Sequence, residues 1–191
     1  VTVYCRHGIA AEEPSLYEGV KLVYVPHVQS KNLATISAAF FACIHAVRSR
    51  AQVIHLYTVG SALFVPLLRL YGKKTVVSVD ALDWKRKKWS RFASLYMQAA
   101  AKIAVRWADE LIIDSKTIQN YYEKVYSRKG AYVPFGANLP TALDATGLGE
   151  IGLVAGKYIL FVGLLRPEKQ VNHLIEAFNR MEAELVRKQE E

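Results

Sequence analysis

Cysteine is scarce in this 191-residue sequence, and over much of its length so is negative charge. The two cysteines, Cys5 and Cys43, form no CxxC pair and have no metal-ligand spacing. That excludes a disulfide framework and a zinc-finger type of site, and it reads as two reduced core cysteines in a cytosolic protein. No run reaches the ~18 uninterrupted apolar residues that a membrane span needs. The nearest, LATISAAFFACIHAV, is interrupted by Thr35, Ser37 and His45 and reads as a buried helix. Also missing are a P-loop, a GxGxxG and a Ser-His-Asp order. His7, His27, His45 and His173 share no metal spacing. The opening VTVYC offers neither an initiator Met nor a signal peptide and looks like a strand entered mid-protein.

What is present is a soluble globular composition, 52% hydrophobic and 22% charged. The net charge of +8 is unevenly spread: between Gly19 and Ala108 fourteen Lys or Arg face only two acids, Asp80 and Asp83. Half of those cations (Lys85, Arg86, Lys87, Lys88, Arg91, Lys102 and Arg106) fall within 22 residues. Such a field attracts an anionic partner: nucleic acid, an acidic membrane surface or a phosphorylated small molecule. Composition alone leaves these three open.

Along the chain, short β-branched or aromatic runs (VTVYC, VKLVYV, QVIHLY, TVVSV, ELIID, AYVP) alternate with helical stretches. This alternation predicts an α/β fold, a Rossmann-like parallel sheet with helices on both faces. One helix is expected over 32–48, with Leu33, Ile36, Phe40, Ile44 and Val47 inward. A second is expected over 88–107, with Trp89, Phe92, Tyr96, Ala99, Ile103 and Trp107 as its stripe. A third should open at Ser115. No helix fits between the first two strands, and a parallel pair needs a crossover, so an earlier strand and helix are expected to supply a missing central element. After VPFGANLP the composition turns Gly- and Ala-rich, and a fresh strand, YILFVG, leads to an amphipathic helix from about Val171. The expected organisation is residues 1–140 as one Rossmann-like domain lacking its first strand and helix. Residues 141–156 form a linker, and 157–191 the first strand and helix of a second, truncated domain.

Several stretches, in order, resemble one family. They are VTVYCR, GVKLVYVPHVQSKNLAT, LDWKRKKW, an AD..I..S pattern at Ala108 to Ser115, and YILFVGLLRPEK. Together they are similar to GT-B nucleotide-sugar glycosyltransferases, in the rhamnosyltransferase-like branch of the retaining enzymes (glycosyl transferase group 1, family 4). The resemblance implies two Rossmann-like domains facing across a cleft, the first handling the acceptor and the second the donor. It implies sugar transfer from a nucleoside-diphosphate-sugar to a glycan or lipid-linked acceptor in cell-envelope polysaccharide synthesis, with no metal or other cofactor. It also implies a cytoplasmic enzyme, peripheral on the inner face of the plasma membrane, of which this chain is an inactive fragment. The rival readings are a basic nucleic-acid-binding module and a membrane-surface protein without catalysis.

Candidate residues follow from place and chemistry. Ligands of open α/β sheets bind beyond the carboxyl ends of the strands, where Asp80 ends TVVSV. A carboxylate held ionised by surrounding cations can orient an acceptor hydroxyl or balance oxocarbenium charge. Asp83 is its companion, and capping the next helix is the alternative for both. Relatives often carry His-Gly where this chain has Asp80 and Ala81. The cations Lys85, Arg86 and Lys88 beside Trp84 suit an acceptor head group or membrane surface; the alternative is a solvated helix start with its tryptophans in the core. His55 is expected near the acceptor, or as a hydrogen-bonded core histidine. Gly163, Arg166 and Lys169 are the expected donor-phosphate contacts at a strand–turn–helix entry. Lys169 matches the resemblance, while Leu164 stands where relatives have arginine and Arg166 takes that part. The alternative is a helix start with surface cations.

Overall fold

The computed structural model describes residues 1–30, 33–82, 84, 90–138, 146–165 and 167–190. They divide into two compact units, Val1–Ala137 and Asn138–Glu191.

Unit 1 begins with three strands, β1 (Thr2–Arg6), β2 (Leu16–Tyr17) and β3 (Val20–Val25), in the order β1-β3-β2. β2 and β3 form a two-residue hairpin, with Tyr17 opposite Val20. Its corner residues Glu18 and Gly19 have φ of 47° and 80°, the primed geometry whose twist matches that of the flanking strands. β1 pairs directly with β3 and parallel to it, from Thr2 opposite Lys21 to Arg6 opposite Val25. This corrects the expectation that a parallel pair of these two strands needs a helical crossover between them. The connection of residues 7–19 spans about 43 Å when extended, ample to return past a strand of roughly 17 Å. Glu13 fixes that loop by accepting from the Gly8 N–H and pairing with the His7 ring. The Gly8 bond foremost, then His7, holds the Glu13 carboxyl below its usual range.

After α1 (Ala34–Arg48) comes a four-stranded, all-parallel sheet. Its strands are β4 (Val53–Leu56), β5 (Lys74–Val79), β6 (Glu110–Ile113) and β7 (Ala131–Tyr132), in that spatial order. Helices α2 (Val65–Leu70), α3 (Arg91–Trp107) and α4 (Lys116–Tyr126) make the crossovers. Right-handed crossovers that advance in one direction lay their helices on one face. Burial agrees: Leu56, Thr75, Val77, Val79, Leu111 and Ile113 are buried, while the intervening Val53, His55, Val76, Ser78 and Ile112 are half-buried or exposed. The fold is α/β and Rossmann-like, as expected, with the crossover helices of this sheet on one face where both were expected to be covered.

The two long helices bury different stripes from those expected. α1 buries Ala38, Cys43 and Ala46, with Phe40 at the surface. α3 buries Met97, Ala100, Ala101 and Ala104, while Phe92, Ala99 and Trp107 are exposed. The reason is close approach. α3 packs on the 3₁₀ segment Val59–Phe64, where a Cβ on Gly60 would lie 3.2 Å from Met97 Sδ. Tyr96 Oη also donates to Gly60 O at 2.6 Å. Backbones this close admit alanine, not aromatic rings. The helix starts at Ser90, whose Oγ accepts from the Ala93 N–H at 3.3 Å; the earlier part of the expected helix lies outside the described residues. Ser115 is the N-cap residue of α4 as expected, though its side chain makes no capping bond.

Unit 2 contains α5 (Thr146–Glu150), a 3₁₀ turn at Pro167–Lys169 and α6 (Val171–Glu190). Leu174, Ile175 and Phe178 of α6 line an apolar groove with Tyr158, Ile159 and Phe161. The run YILFVG, expected as a strand, joins no ladder among the described residues, and an extended run becomes a strand only with a partner to share its N–H and C=O groups. Among the described residues no helix is long and apolar enough to cross a membrane.

Candidate functional site

The carboxyl ends of β5, β6 and β7 finish in step, and β4 ends two residues short of β5. Leu56 is level with Val77, Val79 with Ile113, and Ile113 with Tyr132. The residues that follow therefore form one rim: Tyr57 and Thr58 after β4, Asp80 after β5, Asp114 after β6 and Val133 after β7. Backbone ordering continues past the strands, since the Val133 N–H donates to Ile113 O at 2.9 Å. Strand ends in such a sheet present converging side chains to one crevice.

Asp80 takes its expected place, exposed immediately beyond the central strand β5. Asp114 is its neighbour on β6, one step past the paired Val79 and Ile113. Its Oδ1 is buried and has no hydrogen-bond partner among the described residues. Sequence reasoning passed over Asp114, although ELIID ends in the same strand-then-carboxylate pattern that marked Asp80.

His55 lies on the sheet face not covered by the helices. Its Nε2 is 2.7 Å from Ser78 Oγ on the adjacent strand, and its ring stacks on Tyr57 at 4.3 Å and 27°. Partial desolvation lowers its pKa below the ordinary histidine value, favouring the neutral imidazole. Tyr57 is 74% exposed, which leaves an aromatic face at the rim beside Asp80's strand.

Trp84 turns toward the protein instead. It packs against the core cluster and lies 6.2 Å from Tyr121 of α4, and its carbonyl accepts from Ser94 Oγ at 3.1 Å. This is the packing alternative. Asp83, Lys85, Arg86, Lys88 and Arg166 lie outside the described residues. Gly163 and Lys169 belong to unit 2, both exposed, with Lys169 closing the turn that leads into α6. In sequence Lys169 lies two residues before the first residue of α6, and a helix N-terminus is suited to phosphate oxygens.

The opposite end of the sheet is tied by Asp109, part of the AD..I..S pattern. Asp109 Oδ2 accepts from the Thr75 N–H at 2.9 Å and Thr75 Oγ1 at 3.2 Å, and Lys74 Nζ donates to Oδ1 at 3.2 Å. Arg69 pairs with Oδ2 at 3.5 Å. The Thr75 backbone bond first, then Lys74, lowers the pKa of this carboxyl. Asp109 is thus a structural clamp, remote from the rim. Among the described residues no three His, Cys, Asp or Glu side chains group as a metal site.

No curated protein matches the chain. A family model described as "Domain of unknown function (DUF1972)" matches residues 32–138, from the approach to α1 through β7 and the turn after it. The match takes in more than half of the sequence and the whole four-stranded sheet with its rim, and the chain belongs to this domain family.

Proposed function

We propose that this chain is the acceptor-side domain, with the first part of the donor side, of a retaining nucleotide-sugar glycosyltransferase. The observation that carries the reading is Asp80 at the carboxyl end of the central parallel strand, directly ahead of the LDWKRKKW signature. Support comes also from the family, whose domain is found in glycosyltransferase-like proteins. In this reading the C1–oxygen bond of the donor sugar breaks and its electron pair leaves with the nucleoside diphosphate. The acceptor hydroxyl oxygen forms the new bond to C1, and its proton passes to the departing diphosphate oxygen. Asp80 accepts a hydrogen bond from that hydroxyl and balances positive charge as it develops on the sugar ring. Lys169, with Arg166 and the backbone at Gly163, neutralises the departing diphosphate, a stabilisation that grows in the transition state. The acceptor is a glycan or a lipid-linked sugar, and no metal takes part.

A second reading, a basic nucleic-acid-binding or membrane-surface protein without catalysis, is favoured by Leu164 standing where relatives of the resembled branch carry arginine.

The test is calorimetric titration of nucleoside diphosphates into the natural full-length protein, beside a Lys169→Ala variant and a single-stranded oligonucleotide control. Saturable diphosphate binding that the variant loses supports the transferase. Salt-sensitive oligonucleotide binding without any diphosphate binding overturns it.

A further inference from the structure

We infer that the exposed face of α3 is a docking surface for an anionic lipid membrane. The helix has two faces set by its period. Met97, Ala100, Ala101 and Ala104 are buried on one side. Directly opposite, Arg91, Phe92, Leu95, Ala99, Lys102 and Arg106 are all exposed, and at 100° per residue they fall within a single arc of about 100°. Phe92 is 88% exposed and Leu95 66%. Two large apolar side chains one helical turn apart, both in solvent, are costly unless something apolar receives them.

The charge of the helix says what that is. α3 contains three cations and no acid, and all three cations lie on the exposed arc with the apolar pair. At its far end Arg106 sits over the Trp107 ring, 5.9 Å from the centroid, and Trp107 is 47% exposed. Apolar side chains that insert, cations that meet head groups and an indole at the boundary make the composition of an interfacial helix lying in the plane of a membrane. A nucleic acid would use the cations and Phe92 but leave Leu95 and Ala99 without a role. An ordinary protein interface is poor in lysine at its centre. The membrane fits all six residues. This proposal does not need the transferase reading, because docking on α3 involves neither Asp80 nor Lys169.

The test is co-sedimentation of the protein with vesicles of phosphatidylcholine alone and with phosphatidylglycerol added. Two double variants are compared, Phe92→Ser with Leu95→Ser, and Lys102→Glu with Arg106→Glu. Each position is exposed, and circular dichroism confirms that both variants keep their helix content. The wild type is expected to bind the anionic vesicles and to leave the neutral ones largely in solution. Each double variant should weaken that binding by about tenfold or more, the first by losing insertion and the second by losing attraction. Three results overturn the proposal: a wild type that ignores anionic vesicles, folded variants that bind as the wild type does, or binding of a single-stranded oligonucleotide in place of vesicles.

Discussion

Asp109 Oδ2 accepts the backbone N–H of Thr75 at 2.9 Å, across the amino ends of β5 and β6, while the Asp109 N–H donates to Thr75 O at 3.0 Å. Backbone and side chain together close a reciprocal clamp, to which Lys74 and Arg69 add positive charge. The Asp109 pKa is depressed in the folded protein. The stability it contributes is therefore fully present above the unfolded carboxyl value of about 4 and is lost as pH falls through the folded one. We expect Asp109→Asn to cost about 1.5–3 kcal/mol at neutral pH. We also expect it to flatten the loss of stability that sets in as pH falls below about 4. Urea unfolding of both proteins across that range is the check, and parallel pH profiles would refute the clamp.

A second prediction concerns the alanines of α3. Ala100, Ala101 and Ala104 are completely buried against the segment around Gly60. The helix is held there by the Tyr96 bond to Gly60 O. Ala104→Leu should cost about 1–3 kcal/mol by overpacking, whereas Ala99→Leu on the exposed face should change stability by less than about 0.5 kcal/mol. Thermal melts of the two variants decide it. Equal effects would mean that the helix can slide outward to make room.

These alanines also show how far the sequence could be read. The strands VIHL, KTVVSV and ELII were legible because each is a continuous β-branched run bounded by breakers. The rim position of Asp80 followed from strand ends alone. Helix faces were not legible. A count of large apolar residues at 3 and 4 spacing selects Phe92 and Trp107, but a helix lying close to its neighbour's backbone buries its smallest residues. Nothing in the sequence states that distance. Asp114 was legible and overlooked, since the same rule that finds Asp80 also finds it. The β1–β3 pairing was missed because a parallel pair was assumed to need a helical crossover, whereas an extended loop pinned by Glu13 serves.

Sheet edges give a third prediction. Among the described residues β4 pairs on one side only, with β5, and β1 only with β3. On those strands Val53 is 58% exposed and Val3 43%. An open edge bearing apolar side chains templates pairing with another chain. The 191-residue chain is therefore expected to self-associate as its concentration rises, and Val53→Lys to suppress this by placing a charge on the edge strand. Sedimentation velocity at a low and a high concentration measures it. A wild type that stays monomeric, or a variant that associates equally, removes the edge as the cause.

The last prediction tests Asp80 as a reacting-site carboxylate. Ser90 is the N-cap of α3, so Asp80→Asn leaves that cap in place and removes a negative charge while keeping the shape of the side chain. If the charge serves transfer, the natural full-length enzyme should lose about 10²–10⁴-fold in kcat, the range of positioned acid–base and electrostatic groups. Its KM for the donor should hardly move, because Asp80 is not among the proposed diphosphate contacts, Gly163, Arg166 and Lys169. Asp114→Asn is the informative companion. Its buried Oδ1 lacks a partner among the described residues, and an unsatisfied buried oxygen costs stability. That variant should hold or raise the melting temperature while lowering kcat, the pattern of a group retained for a ligand at the expense of the fold. A normal kcat in both variants would reduce the rim carboxylates to local structure and shift the search for the reacting groups to unit 2.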